Sequence, residues 1–150
     1  MTTITVATQV AAPVERVFET FTDLEHAAER VSNIQKIEVL TAGRFELGTR
    51  WAEMREVMGR LDTAEMEVTA YDRNRRYTIT HHKGGTRMDT VFTFEPFEGG
   101  TKVQIEFVLE GHGLPPGLLA PLGWAIAGKV RDVLTGDLAD LKASTEKRPA

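Results

Sequence analysis

Polar and apolar residues alternate from residue 3 to residue 11, with Ile4, Val6, Thr8 and Val10 on one side. That period of two marks a half-buried strand. Ala12-Pro13 ends it, and proline suits the first turn of a helix. Val14, Val17, Phe18 and Phe21 then recur at helical spacing and stop near Thr22-Asp23, where Asp23 is placed to cap a second short helix reaching Arg30. From Ile34 the period returns to two, predicting strands at 34–40, 48–58, 62–71, 76–82, 88–97 and 102–110. Short glycine- and asparagine-bearing connections join the later strands, which makes them antiparallel hairpins, because parallel strands need long crossovers. After Pro115-Pro116-Gly117 the period becomes helical again through Leu119, Leu122, Ile126, Val130, Val133, Leu134, Leu138 and Leu141. A helix of about thirty residues spans roughly 45 Å. It is the one element long enough to cover the apolar face of a curved sheet.

Hairpin turns fix which residues share a face. A turn at Gly99-Gly100 pairs Phe94 with Ile105, Phe92 with Phe107 and Thr90 with Leu109. The turn at 83–86 sets His81 opposite Met88, Ile79 opposite Thr90 and Tyr77 opposite Phe92. A turn at Arg73-Asn74 pairs Met66 with His81, Val68 with Ile79 and Ala70 with Tyr77. All three agree on one inner face, leaving Thr63, Glu65, Glu67, Arg76, Thr78, Thr80, His82, Lys102, Gln104 and Glu106 to water. For 48–58, a turn at Arg60-Leu61 sends Trp51, Glu53, Arg55 and Val57 inward. A one-residue slip would send Ala52, Met54, Glu56 and Met58 inward instead, and the first register is preferred because Trp51 and Val57 continue the apolar face.

Composition narrows the classes. The chain has 150 residues, the size of one domain with a real core, here expected to span residues 1–150. Eighteen basic against 22 acidic residues give a net charge of −4 without long runs, which argues against nucleic acid as a partner. No cysteine is present, removing disulfides, thiol nucleophiles and thiolate metal sites. No apolar run approaches membrane-spanning length and the N-terminus lacks a signal pattern, so a cytoplasmic protein without membrane insertion is expected. His81 and His82 are strand neighbours and point to opposite faces, while His26 and His112 show no ligand partner at metal spacing. Phosphate loops, nucleophile elbows and dinucleotide fingerprints are absent from the sequence, and no cofactor or metal is expected.

Several local motifs carry a resemblance. Val10-Ala11-Ala12-Pro13-Val14-Glu15-Arg16-Val17-Phe18, Gly48-Thr49-Arg50-Trp51, Gly99-Gly100-Thr101-Lys102-Val103 and Asp137-Leu138-Ala139-Asp140-Leu141-Lys142 resemble the START-like (SRPBCC) superfamily, nearest its polyketide cyclase/dehydrase-like group. The resemblance covers almost the whole chain and implies an α+β helix-grip fold. A curved seven-stranded antiparallel sheet would wrap the long C-terminal helix, with two short helices between strands 1 and 2. It also implies a cavity between sheet and helix for a hydrophobic small molecule.

The residues placed on that cavity are Trp51, Met66, Tyr77, Met88, Thr90, Phe92, Phe107 and Leu109 from the sheet, with Leu118, Leu122 and Ile126 from the helix side. Apolar walls with a few convergent polar groups are the usual form of such a site. Glu53, Arg55 and His81 are the candidate catalytic groups: His81 or Glu53 as base, with Arg55 and Tyr77 as donors to an enolate oxygen. The competing readings are a Glu53–Arg55 ion pair and a core histidine held by a neighbour. Gly111 to Leu118 forms either a gate or a plain connector. Trp124, amid Pro121, Gly123 and Ala127, either packs on the short helices or meets a second copy in a homodimer. Gly123, Gly128 and Gly136 each cost a helix about 1 kcal/mol relative to alanine, and they mark either room above the sheet or a solvated face. Three functions follow: a binder of a lipid-like, aromatic or polyketide-like molecule; a cyclase or dehydratase; and a co-chaperone-like interaction module.

Overall fold

A computed structural model describes residues 2–57, 59–83, 85–110 and 120–147, with side chains at all of these except 57 and 120–126. The elements run β1 (Thr2–Val10), α1 (Val14–Phe21), α2 (Ala27–Arg30), β2 (Ile34–Val39), β3 (Arg50–Val57), β4 (Arg60–Asp72), β5 (Arg76–Lys83), β6 (Thr86–Phe97), β7 (Gly100–Glu110) and α3 (Ala120–Lys147). All seven strands join one antiparallel sheet in the order β1-β7-β6-β5-β4-β3-β2. The meander β2 to β7 explains five of the six pairings. The sixth brings β1 back beside β7, so β1 and β2 are the two edges.

The α1 helix buries Val17, Phe18, Thr20 and Phe21. Its last turn closes when the Thr22 backbone N–H and hydroxyl both donate to the Phe18 carbonyl, at 3.0 and 2.8 Å. Asp23 caps a turn rather than α2 itself. Its carboxylate accepts from the His26 backbone N–H at 3.4 Å, and α2 starts only at Ala27. The α3 helix buries Leu134, Leu138 and Leu141 and packs on β1, α1 and α2. Polar latches pin the same stretch. Asp140 accepts from the Ser32 N–H and hydroxyl, both at 2.9 Å; Glu146 accepts from the Ala11 N–H at 2.8 Å.

The register expected at 83–86 is observed residue for residue: Tyr77 opposite Phe92, Ile79 opposite Thr90, His81 opposite Met88. Three details differ. At the β6–β7 turn the left-handed residues are Glu98 (φ 47°) and Gly99 (φ 82°), not Gly99 and Gly100. Every partner therefore shifts by two, giving Phe94 with Val103, Phe92 with Ile105 and Thr90 with Phe107. An even shift keeps the inner face intact. Gly100 answers a different need, since a Cβ there would sit 2.5 Å from the Val10 carbonyl oxygen of β1.

Between Val68 and Ala70 a bulge interrupts the β4–β5 ladder, so Tyr77 pairs with Tyr71 and not with Ala70. Both Thr69 and Ala70 face solvent as a result. At the β3–β4 turn Val57 pairs with Arg60, four residues from the expected register, again an even displacement. Trp51 and Glu53 are buried while Glu56 is exposed, as the preferred register requires. Thr80 departs from the solvated outer face, being only 5 % exposed. Its hydroxyl donates to Asp89 at 2.6 Å and lies 2.7 Å from that of Thr69, and this chain of polar side chains screens it.

The helix glycines divide. Gly136 is exposed and a Cβ on it meets nothing within 4 Å, so it occupies a solvated face. A Cβ on Gly128 also meets nothing within 4 Å. Gly123, Trp124, Pro121, Leu118, Leu122, Ile126 and the 111–118 loop lie outside the described residues or side chains. Gly136→Ala is expected to stabilise the fold by about 1 kcal/mol, a rise of roughly 2–4 °C in thermal unfolding.

Candidate ligand-binding site

The inner face of the sheet is built of rows that cross the strands. One row holds His81, Met88 and Leu109; the next holds Ile79, Thr90 and Phe107; the third holds Tyr77, Phe92 and Ile105. Packing changes along these rows. At the third row the face is closed by rings. Tyr77 is 1 % exposed and stacks on Phe92 with centroids 4.6 Å apart. Phe18 of α1 meets Tyr71, Tyr77 and Phe94 edge-on at 5.9, 5.8 and 5.2 Å. Such edge contacts add about 0.5–1.5 kcal/mol each beyond area burial.

Toward the β5–β6 turn the face opens. Met66, His81, Met88, Thr90, Phe107 and Leu109 are all only half-buried. Together they make a half-buried, mostly apolar patch beside the ring cluster.

The polar candidates occupy distinct places. Glu53 and Arg55, both inward on β3, are joined by Asp137 of α3, which the sequence offered only as the first residue of its closing motif. Arg55 donates from Nε to Glu53 at 2.6 Å and from Nη1 to Asp137 at 3.0 Å, and its Nη2 lies 2.8 Å from the other Asp137 oxygen. The second Glu53 oxygen accepts the Trp51 indole N–H at 3.2 Å. Burial pulls the Arg55 guanidinium down, but the two carboxylates outweigh it and hold it above its ordinary value. Burial pushes the Asp137 carboxyl up; Arg55 pulls it back without cancelling the rise. Two carboxylates and one fork-shaped cation thus staple β3 to the long helix.

His81 is separate from this staple. Its Nδ1 donates to the Glu65 carbonyl at 3.2 Å, since a carbonyl only accepts. Tyr77, the other candidate donor, directs its hydroxyl to the Phe21 carbonyl at 3.5 Å, and burial pushes it well above the ordinary tyrosine value. The structure therefore joins Glu53 to Arg55 and leaves His81 and Tyr77 elsewhere. Sequence reasoning passed over Asp137 as a site residue, although an acid three residues after Leu134 and next to Leu138 belongs at the core edge of a helix. It also passed over Phe45, a loop residue whose ring lies 5.0 Å from Tyr77 and 5.9 Å from Trp51.

His26 does have neighbours at ligand spacing, contrary to expectation, because the 23–26 turn brings its ring nitrogens within 4.8 Å of the Asp23 and Glu25 carboxylates. Asp23 is already engaged, by His26 Nδ1 at 2.8 Å and by Arg30 at 3.0 Å, so the group reads as an ion-pair cluster. Among the described residues, no helix is long and apolar enough to cross a membrane.

Known proteins bear on this geometry. A family model described as polyketide cyclase / dehydrase and lipid transport matches residues 1–146. No curated protein is significantly similar in sequence. Among solved structures, protein TTHA0849 from Thermus thermophilus is 24 % identical, with a TM-score of 0.72 over 95 % of this chain and 99 % of that one. Major latex-like protein 151 from Panax ginseng is 14 % identical, with a TM-score of 0.76 over 96 % and 97 %. The di-domain ARO/CYC BexL from the BE-7585A biosynthetic pathway is 16 % identical, with a TM-score of 0.80 over 99 % of this chain and 51 % of that one. At these identities the likeness shows the helix-grip fold.

Proposed function

The chain belongs to the polyketide cyclase / dehydrase and lipid transport family, and on that premise we propose that it binds one hydrophobic small molecule, lipid-like, aromatic or polyketide-like, against the open part of its inner sheet face. One observation carries the reading. Six neighbouring inner-face residues, four of them large and apolar (Met66, Met88, Phe107, Leu109), are half-buried, whereas Tyr77 and Ile105 two rows from His81 are buried. Interiors normally close to crystal-like density, so half-buried apolar side chains on the inner face offer a guest surface to cover. Thr90 and His81 supply the few polar contacts that would orient the guest.

The test is direct. Native mass spectrometry and thermal-shift assays with lauric acid, palmitic acid and naringenin are expected to show one ligand per chain. Thr90→Trp, which lays an indole over this patch, is expected to weaken binding by at least about tenfold with little change in melting temperature. Undiminished binding by that variant would place the ligand elsewhere.

A second reading, the cyclase or dehydratase, is favoured by one contact. The Nδ1–H bond to the Glu65 carbonyl fixes the His81 ring and leaves Nε2 for a substrate proton. Against it, the candidate donors Arg55 and Tyr77 are already bonded to protein partners. His81→Ala separates the two readings. A binder keeps most of its affinity, whereas an enzyme loses roughly two or more orders of magnitude in turnover while still binding.

A further inference from the structure

The two edges of the sheet are finished differently. At β1 the Lys142 ammonium of α3 donates to the Gln9 carbonyl at 2.7 Å, and Glu146 accepts the Ala11 N–H just past the strand at 2.8 Å. Among the described residues no strand pairs with the outer side of β2, and Gln35, Lys36, Glu38 and Val39 are all exposed. Alternate residues of an antiparallel strand turn their backbone N–H and C=O to opposite sides. The Leu40 N–H reaches the Arg50 carbonyl of β3 at 2.9 Å, so the backbone groups of Lys36 and Glu38 also turn toward β3. Those of Ile37 and Val39 therefore point outward, and an edge of this kind is a template for another strand.

The side chains select that strand. Lys36 and Glu38 flank Ile37 on the outer face, opposite Met54 and Ala52 of β3, and neither forms an ion pair with any described residue. Let two copies of β2 pair antiparallel about a two-fold axis through Ile37. Lys36 of each copy then stands opposite Glu38 of the other, and Ile37 meets its own counterpart. Moving the axis one residue either way sets Lys36 against Lys36 or Glu38 against Glu38, and like charges directly opposite are unfavourable. Of the three registers that keep most of the strand paired, one is attractive and two are repulsive.

We propose that β2 is a self-association edge, through which a second copy of this chain forms a two-fold dimer with the two seven-stranded sheets running on as one. Charge on an edge usually guards against pairing. Here opposite signs two residues apart turn that guard into a choice of register. Val39, 45 % exposed, and the half-buried Ile37 lie on the inner side of the same edge and are the apolar surface that the second copy covers. A bulge at Gln35 ends the regular stretch, so the shared ladder is short and the association is weak and concentration-dependent. The contact is distinct from the surface around Trp124. It also leaves the inner-face patch of β4 to β7 untouched, so it does not depend on a ligand being held there.

Sedimentation velocity of the full chain from about 10 µM to about 1 mM, at about 20 mM salt, is expected to show a monomer–dimer equilibrium. Lys36→Glu and Glu38→Lys each place like charges on both sides of Ile37 and should weaken the dimer at least about tenfold. An equimolar mixture of these two variants should associate again, to within about threefold of the unaltered chain, and so should the double swap Lys36→Glu/Glu38→Lys. Ile37→Pro removes an N–H that the sheet of one chain does not use, and should abolish the dimer with little change in melting temperature. A chain that stays monomeric throughout would overturn the proposal. So would a dimer that both single charge variants form undiminished, or a loss in them that mixing does not restore.

Discussion

Arg55→Met is expected to destabilise the protein by about 3 kcal/mol, a fall of roughly 10 °C in thermal unfolding. The guanidinium is the single cation shared by two carboxylates that are mostly buried, Glu53 at 9 % and Asp137 at 14 % side-chain exposure. Its removal strands both, and an uncompensated buried charge costs more than the intact pair contributes. The pH dependence has a definite sign. Asp137 already has a folded-state pKa above its ordinary 3.8, so its proton is held more tightly in the folded chain than in the unfolded one. Its penalty is present at neutral pH and is relieved as pH falls through the folded value toward 3.8. Without Arg55 the penalty grows, so the deficit of the variant should be largest near pH 8 and smaller near pH 5. Urea unfolding at both values measures it. A deficit under about 1 kcal/mol at each pH would mean the three groups behave as a solvated pair. Replacing all three by apolar residues of similar volume is expected to be close to neutral.

Phe18→Ala is expected to cost about 3–5 kcal/mol. The ring is 4 % exposed and touches Tyr71, Tyr77 and Phe94, so truncation leaves a void that rigid neighbours cannot fill by small shifts. Near-ultraviolet circular dichroism should lose intensity along with the melting temperature, because three aromatic partners lose a fixed neighbour at once. A loss below about 1 kcal/mol would show that α1 is only lightly docked on the sheet.

Period-two and helical patterning foretold every strand, the two short helices and the long one, because burial on one face imposes the period directly. What patterning could not carry was phase at irregular points. The β6–β7 turn lies one residue earlier than its glycine pair suggests, because Glu98 accepts a left-handed conformation while Gly100 is reserved for the close approach of β1. The bulge at Thr69 has no sequence mark beyond two small polar-tolerant residues in a row, Thr69 and Ala70, and it turned a partly buried Tyr71 against the core unseen. The inward side of β3 was legible because Trp51 announces it. Asp137 was not, since its partner sits 82 residues away on another element, and spacing along one chain says nothing about such meetings. Phe45 escaped for a similar reason: a loop residue has no period to betray its burial.

The bulge at Thr69 also acts as a dislocation within β4. On one side of it, Val68 pairs with Ile79; on the other, Tyr71 keeps the phase set by Asn74 and its turn, while β5, β6 and β7 hold one register throughout. The two halves of β4 are thus indexed separately. Deleting Thr69 would merge the two phases into one ladder, with Ala70 still outward opposite Thr78 and Tyr71 still inward opposite Tyr77.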